Sequence, residues 1–114
     1  MNARRAEAML WAAQRLTAAL LALLVSVHLV TIIYAVRGGL SAAEILARTR
    51  SSVAWPAFYG LFVLAAAIHG AIGLRTVAGE WLGWRGRSAD AAALAVALAL
   101  AAVGLRAVAA VTLP

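Results

Sequence analysis

The stretch SSVAWPAFYGLFVLAAAIHGAIGL (Ser51–Leu74) carries no formal charge over 24 residues and is closed by Arg75 and then Glu80. As a helix it would be about 36 Å long, more than the ~30 Å hydrocarbon core of a bilayer, so it is read as a transmembrane helix over about residues 53–79. Pro56 falls early enough to be tolerated in the first turn, and Ser51 or Ser52 can cap the helix. Trp55 and Tyr59 stand near one membrane interface, and Trp81 and Trp84 near the other. The rest of the chain repeats this pattern. Gln14 and Arg15 mark a membrane edge before the 21 uncharged residues Leu16–Val36, giving a helix over about residues 12–36. A third helix is expected over about residues 89–111, started by Ser88 and Asp90, carrying Arg106 as a snorkelling cation and serving as packing material.

Composition agrees with that reading. Of 114 residues, 66% are hydrophobic and 12% charged, and the charges fall at the edges of the apolar runs. A soluble domain this small could not bury so much apolar surface. The fold class is therefore all-α, an integral membrane protein with three transmembrane helices in a single membrane domain over residues 1–114. The net charge of +6 comes from ten arginines and no lysine, spread over the membrane edges rather than gathered in a patch, which argues against nucleic-acid binding. Abundant alanine and arginine without lysine suggest a GC-rich bacterial genome. With no cysteine, the chain by itself holds no disulfide, thiolate-ligated metal or iron–sulfur site.

Between the first two spans, Arg37-Gly38-Gly39 stops one helix, and Ser41-Ala42-Ala43-Glu44 has the spacing of a capping box, with Leu40 and Ile45 as a hydrophobic staple. A short interfacial helix over about residues 42–49 follows, with Ile45 and Leu46 on the apolar side and Arg48 and Arg50 towards water. The polar opening, Met1 to Trp11, resembles the front of a signal peptide. The apolar run behind it is too long for one and lacks a small-residue cleavage site, so it is read as retained. Six arginines (4, 5, 15, 75, 85, 87) lie on one side and four (37, 48, 50, 106) on the other, which favours a cytoplasmic N-terminus.

Ionisable groups inside such runs are costly and mark functional sites. His69 and Glu80 are eleven positions apart, which brings them to nearly one helix face about 16 Å apart. Gly70 and Gly73 leave that face bare beside the imidazole, where a flat, wide ligand could lie. A lone histidine could equally hydrogen-bond a neighbouring helix, and glycines often serve close packing. His28 on the first span shifts the balance: neutral imidazole is the usual axial ligand of b-type haem, and bis-His ligation needs two imidazoles from different helices. Levelling the spans by Thr17 and Glu80 puts both histidines at one depth. Levelling them by the midpoints of the uncharged runs separates them by about 13 Å, which would demand two haems.

Gln14-Arg15-Leu16-Thr17 opening the first span, and His69-x-x-x-Gly73-x-Arg75 with Glu80 closing the second, resemble the cytochrome b membrane-anchor subunit of succinate dehydrogenases and fumarate reductases. Relatives usually carry Ser-Gly where this chain has Thr17-Ala18, and aspartate where it has Glu80; hydroxyl and charge are kept. The resemblance implies a haem b-binding anchor of a succinate:quinone oxidoreductase in the bacterial inner membrane. Such an anchor is non-catalytic alone and passes electrons from an iron–sulfur subunit to ubiquinone or menaquinone. His69 and His28 would be haem axial ligands and so the chain's metal-binding residues. Arg75 would pair with haem propionates, and Arg15, Thr17, Glu80, Trp11 and Trp81 would form the quinone site. The implied partners are flavoprotein and iron–sulfur subunits, the lipid bilayer, and a second small anchor subunit or another copy of this chain. One or two haems would be shared with that membrane partner; the arrangement favoured is half of each of two, His69 proximal to the cytoplasm and His28 distal. The competing reading is a haem-free structural three-helix protein or small-pore component.

Overall fold

Three of the helices among the described residues are long and apolar enough to cross a bilayer. The computed structural model, which describes residues 2–114, orders the chain as α1 (Ala3–Arg37), α2 (Ala42–Thr49), α3 (Ala54–Trp81) and α4 (Arg87–Thr112). This is the all-α integral membrane architecture expected from the uncharged runs, with α1, α3 and α4 as spans and α2 between the first two.

Helix α1 starts well before its uncharged run. The Asn2 side chain accepts the Arg5 backbone N–H at 2.9 Å, satisfying one of the orphan donors of the first turn, so the polar opening continues as helix. About 20 Å of α1 thus precedes Leu16. At its other end Leu40 N–H reaches the Ala35 carbonyl (3.0 Å) and Gly39 N–H the Val36 carbonyl (3.2 Å). That closure needs a left-handed residue, and Gly39 supplies it at φ 63°.

The Ser41 half of the box at the start of α2 forms, Ser41 Oγ accepting from Glu44 N–H, while the Glu44 carboxylate accepts from the Ser41 hydroxyl rather than from its backbone N–H. Two other expected caps do not form. Val53 occupies the N-cap of α3 without a side-chain bond, because Ser51 Oγ instead donates to the Arg48 carbonyl at the end of α2 (2.6 Å). Gly86 starts α4, because Ser88 lies inside the helix, where its hydroxyl accepts from Trp84 Nε1 (2.8 Å).

Helix α3 is central, packed against α1 on one side and α4 on the other. Small residues permit this: Ala65, Ala67 and Ala71 of α3 are buried, and no large side chain among the described residues is completely so. Gly104 of α4 lies against Val63, such that a Cβ added at Gly104 would collide with Val63 Cγ1. Valine is stiff at χ1 and cannot swing aside. Gly104→Leu is therefore expected to destabilise the α3/α4 pair by about 1–3 kcal/mol. Thermal unfolding in detergent reads this directly; an unchanged midpoint would mean that the helices do not pack through this contact. At the C-terminal end of α4, α2 is strapped down by Thr49 Oγ1 donating to the Val111 carbonyl and by Arg50 donating to the Ala110 carbonyl (3.1 Å).

Candidate functional site

On α1, the residues turned towards α3 recur at alternating spacings of three and four: Leu10, Gln14, Thr17, Leu21, Leu24, His28. The 3.6-residue period makes this a continuous seam. Two positions on it meet histidines. Thr17 Oγ1 is 3.1 Å from His69 Nδ1, and His28 Nδ1 is 3.3 Å from Tyr59 Oη. Thr17 is thus level with His69, not with Glu80, and His28 is level with Tyr59. His28 stands eleven residues beyond Thr17, and Tyr59 ten residues before His69, so both helices place the histidines about 15 Å apart in height. Levelling by the midpoints of the runs described the helix register; levelling by edge groups did not. Two imidazoles so far apart cannot ligate one iron within one chain.

His69 is half-buried at the inner end of a cleft of about 380 Å³ that also contains Trp11, Gln14, Arg15, Arg75 and, towards water, Glu7. Among the described residues its one hydrogen bond is through Nδ1, which leaves Nε2 open. Gln14 Oε1 is buried there without a hydrogen-bond partner among the described residues, an orphan acceptor of the kind that a ligand or water satisfies. Arg15 pairs with no carboxylate among the described residues; its guanidinium lies over the Trp11 ring at 5.5 Å. The glycines are not bare in the way their positions suggested. Gly73 faces the Gln14 side chain of α1 and Gly70 faces Leu100 of α4, so both serve helix packing and the open surface lies on the α1 flank.

Arg75 is engaged by groups that reading the residues one span at a time did not pair with it. Its Nη2 donates to Glu7 of α1 (2.9 Å) and its Nε to Asp90 of α4 (2.7 Å), so one guanidinium ties three helices together. Asp90, on the helix expected only to pack, is thereby part of the site's border. Glu80 and Trp81 sit exposed at the end of α3 and do not line the cleft. Glu80 makes no ion pair among the described residues, and at about 13 Å above Arg15 it is too far away to pair with that guanidinium.

His28 has a different setting. Its ring meets Tyr59 and Phe62 edge-on, with centroids at 5.5 and 5.7 Å, and it borders an apolar pocket of about 490 Å³ roofed by α2 and edged by Tyr34, Arg48 and Trp55. No cluster of three metal-ligating side chains occurs among the described residues. A model of the succinate dehydrogenase/fumarate reductase transmembrane subunit family matches residues 1–106. No individual curated protein and no solved structure matches.

Proposed function

Since the chain belongs to the succinate dehydrogenase/fumarate reductase transmembrane subunit family, we propose that it is the haem b-binding anchor that delivers electrons from an iron–sulfur subunit to membrane quinone. The observation that carries this reading is His69: a half-buried imidazole, oriented through Nδ1 and open at Nε2, in a cleft with an uncompensated arginine. The residues fit a haem held on one side by this chain and on the other by a membrane partner, a second anchor subunit or another copy. When bound, the haem supplies one-electron transfer; this chain contributes ligation, electrostatics and the exclusion of water.

The roles divide by height. His69 ligates iron. Arg15, exposed on the flank of the cleft with Trp11 as its apolar wall, meets a quinone carbonyl arriving from the bilayer and stabilises the negative charge that develops on its oxygen. Glu80 and Trp81 stand beyond the cleft at the water-side end of α3, where Glu80 can hand on protons. Arg75 would take a propionate only by exchanging one of its two carboxylates, and Glu7, 64% exposed against 56% for Asp90, is the freer to leave. An N-terminus on the cytoplasmic side of a bacterial inner membrane, favoured by the arginine count, puts this end of the bundle beside the flavoprotein and iron–sulfur subunits.

A haem ligated by His28 would be a second haem, distal by about 15 Å. The pocket beside His28 favours that reading. The assembled complex, purified and reduced with dithionite, is expected to show a b-type spectrum. Haem quantitation against protein with a redox titration then decides His28: two haems and two midpoint potentials support a distal site, and one of each leaves His28 as a member of its aromatic cluster. Absence of any reduced-haem spectrum would leave a haem-free anchor.

A further inference from the structure

The quinone role that the family resemblance suggests for Thr17 does not survive a count of its protons. Thr17 is 9% exposed, and its Oγ1 has three neighbours within hydrogen-bonding distance: the Ala13 carbonyl at 2.7 Å, the Gln14 carbonyl at 3.2 Å and His69 Nδ1 at 3.1 Å. A hydroxyl has one proton. Two oxygens at 2.7 Å without a proton between them would oppose their lone pairs, so the proton lies on the line to Ala13, shared in part with Gln14. Towards His69, Oγ1 then has only lone pairs to offer. The remaining contact requires a proton on Nδ1.

We propose that Thr17 is the positioning residue that holds His69 as its Nδ1–H tautomer, so that the lone pair at Nε2 faces the cleft. The inference rests on the reading of His69 as a haem ligand only for its consequence; the tautomer follows from the hydrogen bonds alone. The chain His69 Nδ1–H to Thr17 Oγ1–H to Ala13 O runs in one direction and ends on a backbone carbonyl, so each bond polarises the next. Such a partner behind a ligating histidine fixes ring orientation and raises ligand basicity. Burial of Thr17 matters here, because water has little access to replace it.

The first measurement needs no substitution. In the complex assembled from cells starved of haem and labelled with 15N-histidine, the chain's two histidines are told apart by His28→Gln, and His69 is expected to give the Nδ1–H pattern of 15N shifts. An Nε2–H pattern overturns the proposal whether or not the protein carries haem. The second measurement uses haem-loaded complex. Thr17→Val removes the acceptor at nearly constant volume. It is expected to lower haem affinity at least about tenfold and to move the midpoint potential upward, since a less basic ligand stabilises the ferric form less. Thr17→Ser keeps the hydroxyl and is expected to restore both. A Val variant with the parent's haem affinity and potential, or a Ser variant that behaves like Val, rejects the role. If the 15N pattern is as expected but no haem is ever bound, the tautomer lock stands and the haem reading falls.

Discussion

His69→Ala is expected to strip the complex of the proximal haem while leaving the chain inserted and assembled. The helix tolerates the change because alanine has a higher propensity than histidine, and the glycines that pack α3 against its neighbours, Gly70 and Gly73, are untouched. Thr17 is not orphaned either: its proton stays on the Ala13 carbonyl, and only an acceptor lone pair loses its partner. Loss of an axial ligand is a first-order effect, so the reduced b-type absorbance of that site should fall to near zero per complex. Retention of the parent spectrum and midpoint potential would show that His69 is not a ligand. His28→Ala separates the two sites. If His28 serves a distal haem, only that component disappears; if it belongs to its aromatic cluster, the spectrum is unchanged.

Arg15→Leu is expected to slow succinate-to-quinone electron transfer by roughly 10²-fold or more, the size of effect found when one preorganised donor to a developing oxyanion is removed. Oxidation of succinate with an artificial soluble acceptor should be spared, since the flavin lies in another subunit. The structure makes Arg15 the informative cation of the cleft. Arg75 is held by two carboxylates and its loss would loosen three helices at once, whereas the contact recorded for Arg15 is an exposed stacking on Trp11. Equal loss of both activities would point to misassembly. A small effect on both would reduce Arg15 to a headgroup anchor.

The spans and the interfacial helix could be read from the sequence because a bilayer imposes a length and an absence of charge, and Ser41-x-x-Glu44 marks a helix start by its own chemistry. What faced what could not be read in the same way. In water an apolar stripe points to the core, but in lipid every face of α1 is apolar, and the buried seam through Leu10, Gln14, Thr17 and Leu24 differs from the lipid face more in shape than in hydropathy. The polar members of that seam, Gln14 and Thr17 set three apart with Glu7 seven before Gln14, were the available signal. They place Glu7 on the side of α1 that meets Arg75. Reading Glu7 as part of a polar opening hid it, and reading the third helix as packing material left Asp90 out. The histidines themselves were legible, since an imidazole inside an uncharged run is conspicuous; their heights were not, because the register between two featureless apolar helices depends on single contacts such as Thr17 with His69.

The ties at the two ends of the bundle share a helix. Arg75 waits for Asp90, and Thr49 and Arg50 wait for the carbonyls of Val111 and Ala110, all of them on α4. Helix α4 also leaves the ribosome after the other three. At about 5–20 residues per second its 26 residues take roughly 1–5 s to synthesise. For nearly all of that interval the α2 fastenings are unmade, because Ala110 and Val111 come at the end of α4, whereas Asp90 is in its first turn and is made early. Closure of the bundle at the α2 end is thus a late event in biogenesis, and a nascent chain cut short between Asp90 and Ala110 carries its histidines and the Arg75 clasp but not the fastening at the other end.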